Sequence, residues 1–92
     1  MKLRWDSGAA EDLETIANYL FEKTPLHAAR LIRESYKAPT VLKEFPNSGR
    51  AGKKSGTQEL VLGSLPYVLV YQVRGDIVYV ARILHASQNW PA

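Results

Sequence analysis

Tyr67-Val68-Leu69-Val70-Tyr71-Gln72-Val73-Arg74-Gly75-Asp76-Ile77-Val78-Tyr79-Val80-Ala81-Arg82-Ile83-Leu84 is the stretch from which the fold can be read. Its β-branched and aromatic residues suit a pleated, half-buried strand. Arg74-Gly75-Asp76 interrupts them with a tight turn, so residues 67–74 and 77–84 are expected to form an antiparallel hairpin. Upstream, Gly63-Ser64-Leu65-Pro66 separates the hairpin from a third strand-like run over residues 58–62. Ahead of that run, residues 50–56 read as a polar, basic loop containing glycine.

Closer to the N-terminus the period becomes helical. Lys2-Leu3-Arg4-Trp5 alternates and is short, which predicts a strand. Asp6 or Ser7 can cap the helix that follows, and Glu11, Asp12 and Glu14 suit its positive N-terminal end. Ala9, Leu13, Ile16, Ala17 and Leu20 then form one apolar stripe. Thr24-Pro25 starts a second helix, with Thr24 as N-cap and Pro25 in the first turn. That helix is expected to turn Ala28, Leu31, Ile32, Ser35, Leu42 and Phe45 inward. Pro39 would cost an uninterrupted helix about 3 kcal/mol, so a kink or two shorter helices are expected there. Pro46-Asn47-Ser48-Gly49 ends it. The order β-α-α-β-β-β gives an α+β fold: a small antiparallel sheet with two N-terminal helices packed on one face and the other face free.

Ninety-two residues, with 46% hydrophobic and 23% charged side chains, make one domain spanning residues 1–92. With no cysteine there are no disulfides or thiolate metal sites. No apolar run approaches the roughly 18–20 residues that span a bilayer, and the N-terminus has no signal-peptide pattern. A cytoplasmic protein without membrane contact is expected. The net charge is +3, unevenly spread. Residues 1–29 hold three bases and five acids, whereas residues 30–54 hold seven bases against Glu34 and Glu44. A basic middle third suits an anionic partner, either phosphate backbone or an acidic protein, and is otherwise a solvated surface.

No metal, P-loop or dinucleotide motif is present, and no cofactor is expected. The residues able to carry chemistry are a basic set, Arg50, Lys53, Lys54, Arg82 and His85, with the aromatics Tyr67, Tyr71, Tyr79 and Trp90. Metal-free RNA cleavage needs a base for the 2′-hydroxyl, an acid for the leaving oxygen and cations around the phosphate. Histidine titrates at about 6.5 and suits acid–base work. Arginine suits phosphate, and an aromatic ring can stack on an unpaired base. Each residue also has a plainer role. Arg82 is either a phosphate contact or a partner for Glu59 on a neighbouring strand. His85 is either catalytic or a cap on the sheet or a partner contact. Lys53 and Lys54 are either phosphate ligands or merely solubilising. Trp90 and Tyr71 either stack on a base or pack the tail and sheet. Alternation places Val78, Val80, Arg82 and Leu84 on one face and His85 on the other. Arg82 and His85 can therefore meet only if the strand ends, bulges or twists between them.

Four segments together resemble the RelE/ParE toxin superfamily: Phe45-Pro46-Asn47-Ser48-Gly49-Arg50, Gly56-Thr57-Gln58-Glu59-Leu60, Leu65-Pro66-Tyr67-Val68-Leu69-Val70-Tyr71, and Arg82-Ile83-Leu84-His85 through Trp90-Pro91. Trp5, Ala10-Glu11-Asp12-Leu13 and Ile16 fit the same pattern, so the resemblance covers nearly the whole chain. It implies a type II toxin neutralised by an antitoxin encoded in an adjacent gene. RelE-like members enter the ribosome and cut mRNA, whereas ParE-like members poison DNA gyrase without a nuclease site. By position, Arg50, Lys53 and Lys54 look like phosphate contacts, Arg82 like the arginine of the last strand, and His85 like the C-terminal acid–base group. Val68 stands where many nuclease members carry an arginine. A ribosome-dependent endoribonuclease is the leading expectation, with a gyrase poison as the alternative and a degenerate, antitoxin-binding member as a third reading.

Overall fold

The computed structural model describes residues 1–63 and 65–87. Its elements are β1 (Lys2–Trp5), α1 (Ser7–Lys23), α2 (Pro25–Lys37), a 3₁₀ segment (Ala38–Lys43), β2 (Arg50–Ala51), β3 (Gln58–Val61), β4 (Tyr67–Arg74) and β5 (Ile77–His85). The five strands form one sheet in the order β1-β5-β4-β3-β2. The helices pack against one face, as the α+β reading expects.

Two details of the sheet differ from that reading. The sheet is mixed, because β1 lies parallel to β5, with Lys2 opposite Ile77 and Trp5 opposite Val80. The chain leaves β1 directly into α1 and returns only through the helical layer, so no hairpin constrains β1 to run antiparallel. Second, Arg50 and Ala51 are not loop but a two-residue strand on β3. The face away from the helices is also not bare, since Val70 and Leu84 are buried there.

Pro39 divides the second helical stretch as its chemistry requires. The Ala38 N–H still bonds to the Glu34 carbonyl, but Pro39 has no N–H to continue the ladder. α2 therefore stops at Lys37 and the chain tightens into the 3₁₀ segment. Ser35, the polar residue expected inward, is fully buried and donates its hydroxyl to the Leu31 carbonyl at 2.9 Å. Ala28 and Leu42 are buried as expected, but Phe45 lies exposed. The helical period that would have turned it inward ends two residues earlier.

The core joins Ile16 and Leu20 of α1 to Leu69, Tyr71, Val78, Val80 and Ile83 of the central strands. Tyr71 does more than fill space. Its hydroxyl donates to the Pro46 carbonyl at 2.7 Å and accepts the Gly49 N–H at 3.0 Å. The segment between the 3₁₀ turn and β2 is thereby pinned to the sheet. Burial holds the Tyr71 phenol above its ordinary pKa, partly offset by the Gly49 N–H. Gly49 is required by this approach, because a Cβ there would lie 2.6 Å from the Tyr71 hydroxyl and 2.7 Å from the Glu59 carbonyl. Tyr71→Phe leaves the Gly49 N–H without its acceptor and is expected to cost about 1–3 kcal/mol in urea unfolding, with unchanged secondary structure. A loss below measurement error would show that this tether contributes nothing.

Candidate functional site

The end of β5 carries both residues that the sequence singles out for chemistry, and a bulge decides where they point. In the β4–β5 ladder Val70 faces Arg82 while Tyr71 faces Val80, so Ala81 has no partner. Directly opposed residues share a face. Val78, Val80, Ile83 and His85 consequently share the helix-side face with Tyr67, Leu69 and Tyr71, and Arg82 and Leu84 take the other face with Val68 and Val70. The expected grouping of Arg82 with Val78 and Val80 is thus overturned. The bulge comes before Arg82 and not between Arg82 and His85, so it does not bring the two together.

Arg82 is held by a residue that no sequence pattern pairs with it. Among the described residues no strand lies beside the β5 edge beyond Val80, because β1 ends at Trp5. Asp12 of α1 occupies that edge. Its Oδ2 accepts the Arg82 Nε–H at 2.7 Å and the Ile83 backbone N–H at 2.9 Å, and its Oδ1 accepts Arg82 Nη2 at 3.1 Å. The Asp12 side chain is 17% exposed and that of Arg82 36%, so the pair is only partly screened. Gly8 leaves the space for this, since a Cβ there would come within 3.3 Å of Arg82 Cδ. Glu59, the partner considered for Arg82, instead pairs with Arg50 at 3.1 Å.

His85 is exposed at the strand end, its ring edge-on to Tyr67 with centroids 5.8 Å apart. The Ser87 backbone N–H lies 3.2 Å and its hydroxyl 2.7 Å from His85 Nδ1. On its other side His85 lines a shallow groove with Arg50, Lys53, Glu59 and Val68. That groove encloses only about 40 Å³, little more than the share of one water molecule in the liquid. Lys53 and Lys54 sit in the tight β2–β3 connection, where the Thr57 hydroxyl and N–H both bond to the Lys54 carbonyl. Gly56 gives that turn its left-handed backbone, at φ +83°. Tyr71 is fully buried and offers no ring face to a base. Trp90 lies outside the described residues. Among those residues no cluster of His, Cys, Asp or Glu could hold a metal ion, and no helix is long and apolar enough to cross a membrane.

The profile of the family described as "ParE toxin of type II toxin-antitoxin system, parDE" matches residues 3–90. The chain belongs to this ParE toxin family. It is 37% identical to the putative toxin Y4kP of Sinorhizobium fredii, over 98% of this chain and 93% of the relative. With toxin RelE2 of Caulobacter vibrioides it shares 34% identity, over 91% of this chain and 93% of the relative. Its fold matches the chromosomal ParDE system from P. aeruginosa at a TM-score of 0.85 and 24% identity, covering 92% of this chain and 95% of that one. The YoeB/ParE toxin from Agrobacterium tumefaciens matches at a TM-score of 0.64 and 19% identity, over 92% and 98% of the two chains. The chain is therefore a type II toxin of the RelE/ParE superfamily, a class whose members pair with a cognate antitoxin.

Asp12 is the site residue that sequence reasoning missed. It appeared as one of three acids near a helix start and within the family pattern, with no partner assigned, and its partners lie 70 and 71 positions away. Asp12→Ala removes three accepted bonds and is expected to destabilise the fold by about 2–3 kcal/mol. Arg82→Ala should cost less, because Asp12 keeps the Ile83 N–H, and a double-mutant cycle should give a coupling of about 1–2 kcal/mol. Strictly additive losses would show that the pair does not interact in solution.

Proposed function

We propose that this toxin acts by binding its target, as a poison of DNA gyrase, and not by hydrolysing RNA. The observation that carries the reading is the bidentate Asp12–Arg82 pair, held on the opposite strand face from His85. In-line RNA cleavage needs cations gathered around one phosphate beside the acid–base group. Here Arg82 is engaged by Asp12, Arg50 is engaged by Glu59, and Val68 supplies no charge to the groove. Withdrawing Arg82 from a partly buried carboxylate carries an energetic cost before any phosphate is bound. The match to the family of the parDE toxins supports this reading, since the superfamily resemblance implies gyrase poisoning for ParE-like members.

On this reading the basic surface from Arg30 to Lys54 faces the phosphates of the enzyme–DNA complex, where a modest positive charge speeds encounter and favours docking. The ribosome-dependent ribonuclease keeps one supporting observation, the shared groove of His85, Arg50 and Lys53. Its catalytic pair would then be His85 with Arg82, its phosphate contacts Arg50, Lys53 and Lys54, and its targets the ribosome and mRNA.

Purified toxin is expected to inhibit gyrase supercoiling and to accumulate cleaved DNA, and its expression without antitoxin should arrest growth while mRNA stays intact. His85→Ala should retain this inhibition. Untouched gyrase, together with mRNA cleavage that disappears in His85→Ala, would overturn the proposal in favour of the ribonuclease.

A further inference from the structure

A cleft of about 490 Å³ opens between α1 and the ends of β4 and β5, on the helix side of the sheet. Its floor is apolar, formed by the buried side chains of Ile16 and Ile83 and by the Tyr67 ring. Thr15 and Tyr19 of α1 and His85 of β5 stand round that floor, and the Tyr19 ring is 54% exposed. The space lies in the range of cavities that enclose small ligands, about 300–1,000 Å³, and has room for one aromatic side chain. The groove lined by Val68 and Leu84, at about 40 Å³, has no such room.

The path of the chain leads toward this cleft. His85 shares the helix-side face of the sheet with Tyr67, and the two rings meet edge-on at 5.8 Å. After His85 the strand gives way to a turn at Ala86 and Ser87. The Ala86 N–H donates at 2.8 Å to the carbonyl of Pro66, itself a cleft residue. Ser87 folds back on the His85 ring, with its hydroxyl 2.7 Å from Nδ1. The chain therefore does not run straight on past the sheet, and at Ser87 it stands on the cleft side. Gln88, Asn89 and Trp90 follow. Three residues reach at most about 10–11 Å, before the length of a side chain is added. Trp90 is the large apolar residue of that stretch, and a ring of its kind has about 150–250 Å² to bury.

We infer that Trp90 seats its indole in this cleft, so that the chain covers the junction of α1 and the sheet with its own C-terminal stretch. Ile16 and Ile83 supply an apolar floor, and the Tyr19, Tyr67 and His85 rings supply aromatic partners. The hydroxyls of Thr15 and Tyr19 are acceptors of the kind an indole N–H needs. Asp12, the acid that lines the cleft, is already paired with Arg82, so the cleft suits a neutral occupant. An indole held there is not offered to a nucleobase. The inference holds whether the toxin's target is gyrase or the ribosome.

The test uses the full chain. In the NMR spectrum of the free toxin, nuclear Overhauser contacts are expected from the Trp90 indole to the methyl groups of Thr15, Ile16 and Ile83. Trp90→Ala should abolish them and lower the melting temperature by about 5–10 °C. Trp90→Phe keeps an aromatic occupant and should lose about half as much. Thr15→Phe, at an exposed position of α1, fills the cleft from the opposite wall. It should keep the fold, erase the indole contacts and leave Trp90→Ala with almost no further effect on melting. Absence of the indole contacts in the unmodified toxin, or contacts centred on Val68 and Leu84, would overturn the inference, as would an unchanged melting temperature in Trp90→Ala. Shifts at Thr15, Tyr19 and Ile83 that arise only on adding antitoxin, in a toxin without the indole contacts, would give the cleft to the antitoxin instead.

Discussion

Asp12 lies where β5 would otherwise present an open edge, and the arrangement at that end of the molecule follows from it. β1 covers β5 only as far as Val80. Past that point the Ile83 N–H would face solvent or the next chain, a known liability of sheet edges. Asp12 accepts that N–H and, with the same carboxylate, grips the Arg82 guanidinium. One acid on α1 thereby joins the helical layer to the last strand, closes the edge and decides what Arg82 can do.

The bulge at Ala81 works with that clamp. Because it precedes Arg82, the strand's apolar residues Val78, Val80 and Ile83 all remain on the helix side despite their uneven spacing. The packing of β5 thus sets Arg82 and His85 on different faces of the strand. Arg82 and Arg50 are paired with Asp12 and Glu59. Lys53 lines the shallow groove beside His85, and Asp12 lines the cleft against α1.

The other fixed point is Tyr71. Its ring belongs to the core and its hydroxyl holds the Pro46 to Gly49 turn. The β2 strand and its glycine-flanked lysines are therefore placed by a residue in the middle of the sheet. A tyrosine in a strand is unremarkable by pattern, and only the packed fold shows its second role.

Local chemistry in the chain was enough to specify the elements other than the two-residue strand β2. Alternating β-branched residues gave the strands, Arg74-Gly75-Asp76 gave the hairpin, and Pro39 gave the break after α2, because each acts through its own backbone or nearest neighbours. The family was legible for the same reason, in ordered segments spread along the chain. Tertiary structure alone decided the parallel direction of β1, the position of the bulge, the burial of Tyr71, and the exchange of partners by which Arg82 takes Asp12 and Arg50 takes Glu59. These depend on groups far apart in sequence meeting in space, and strand parity, which a single unpaired residue reverses, carries no local signature.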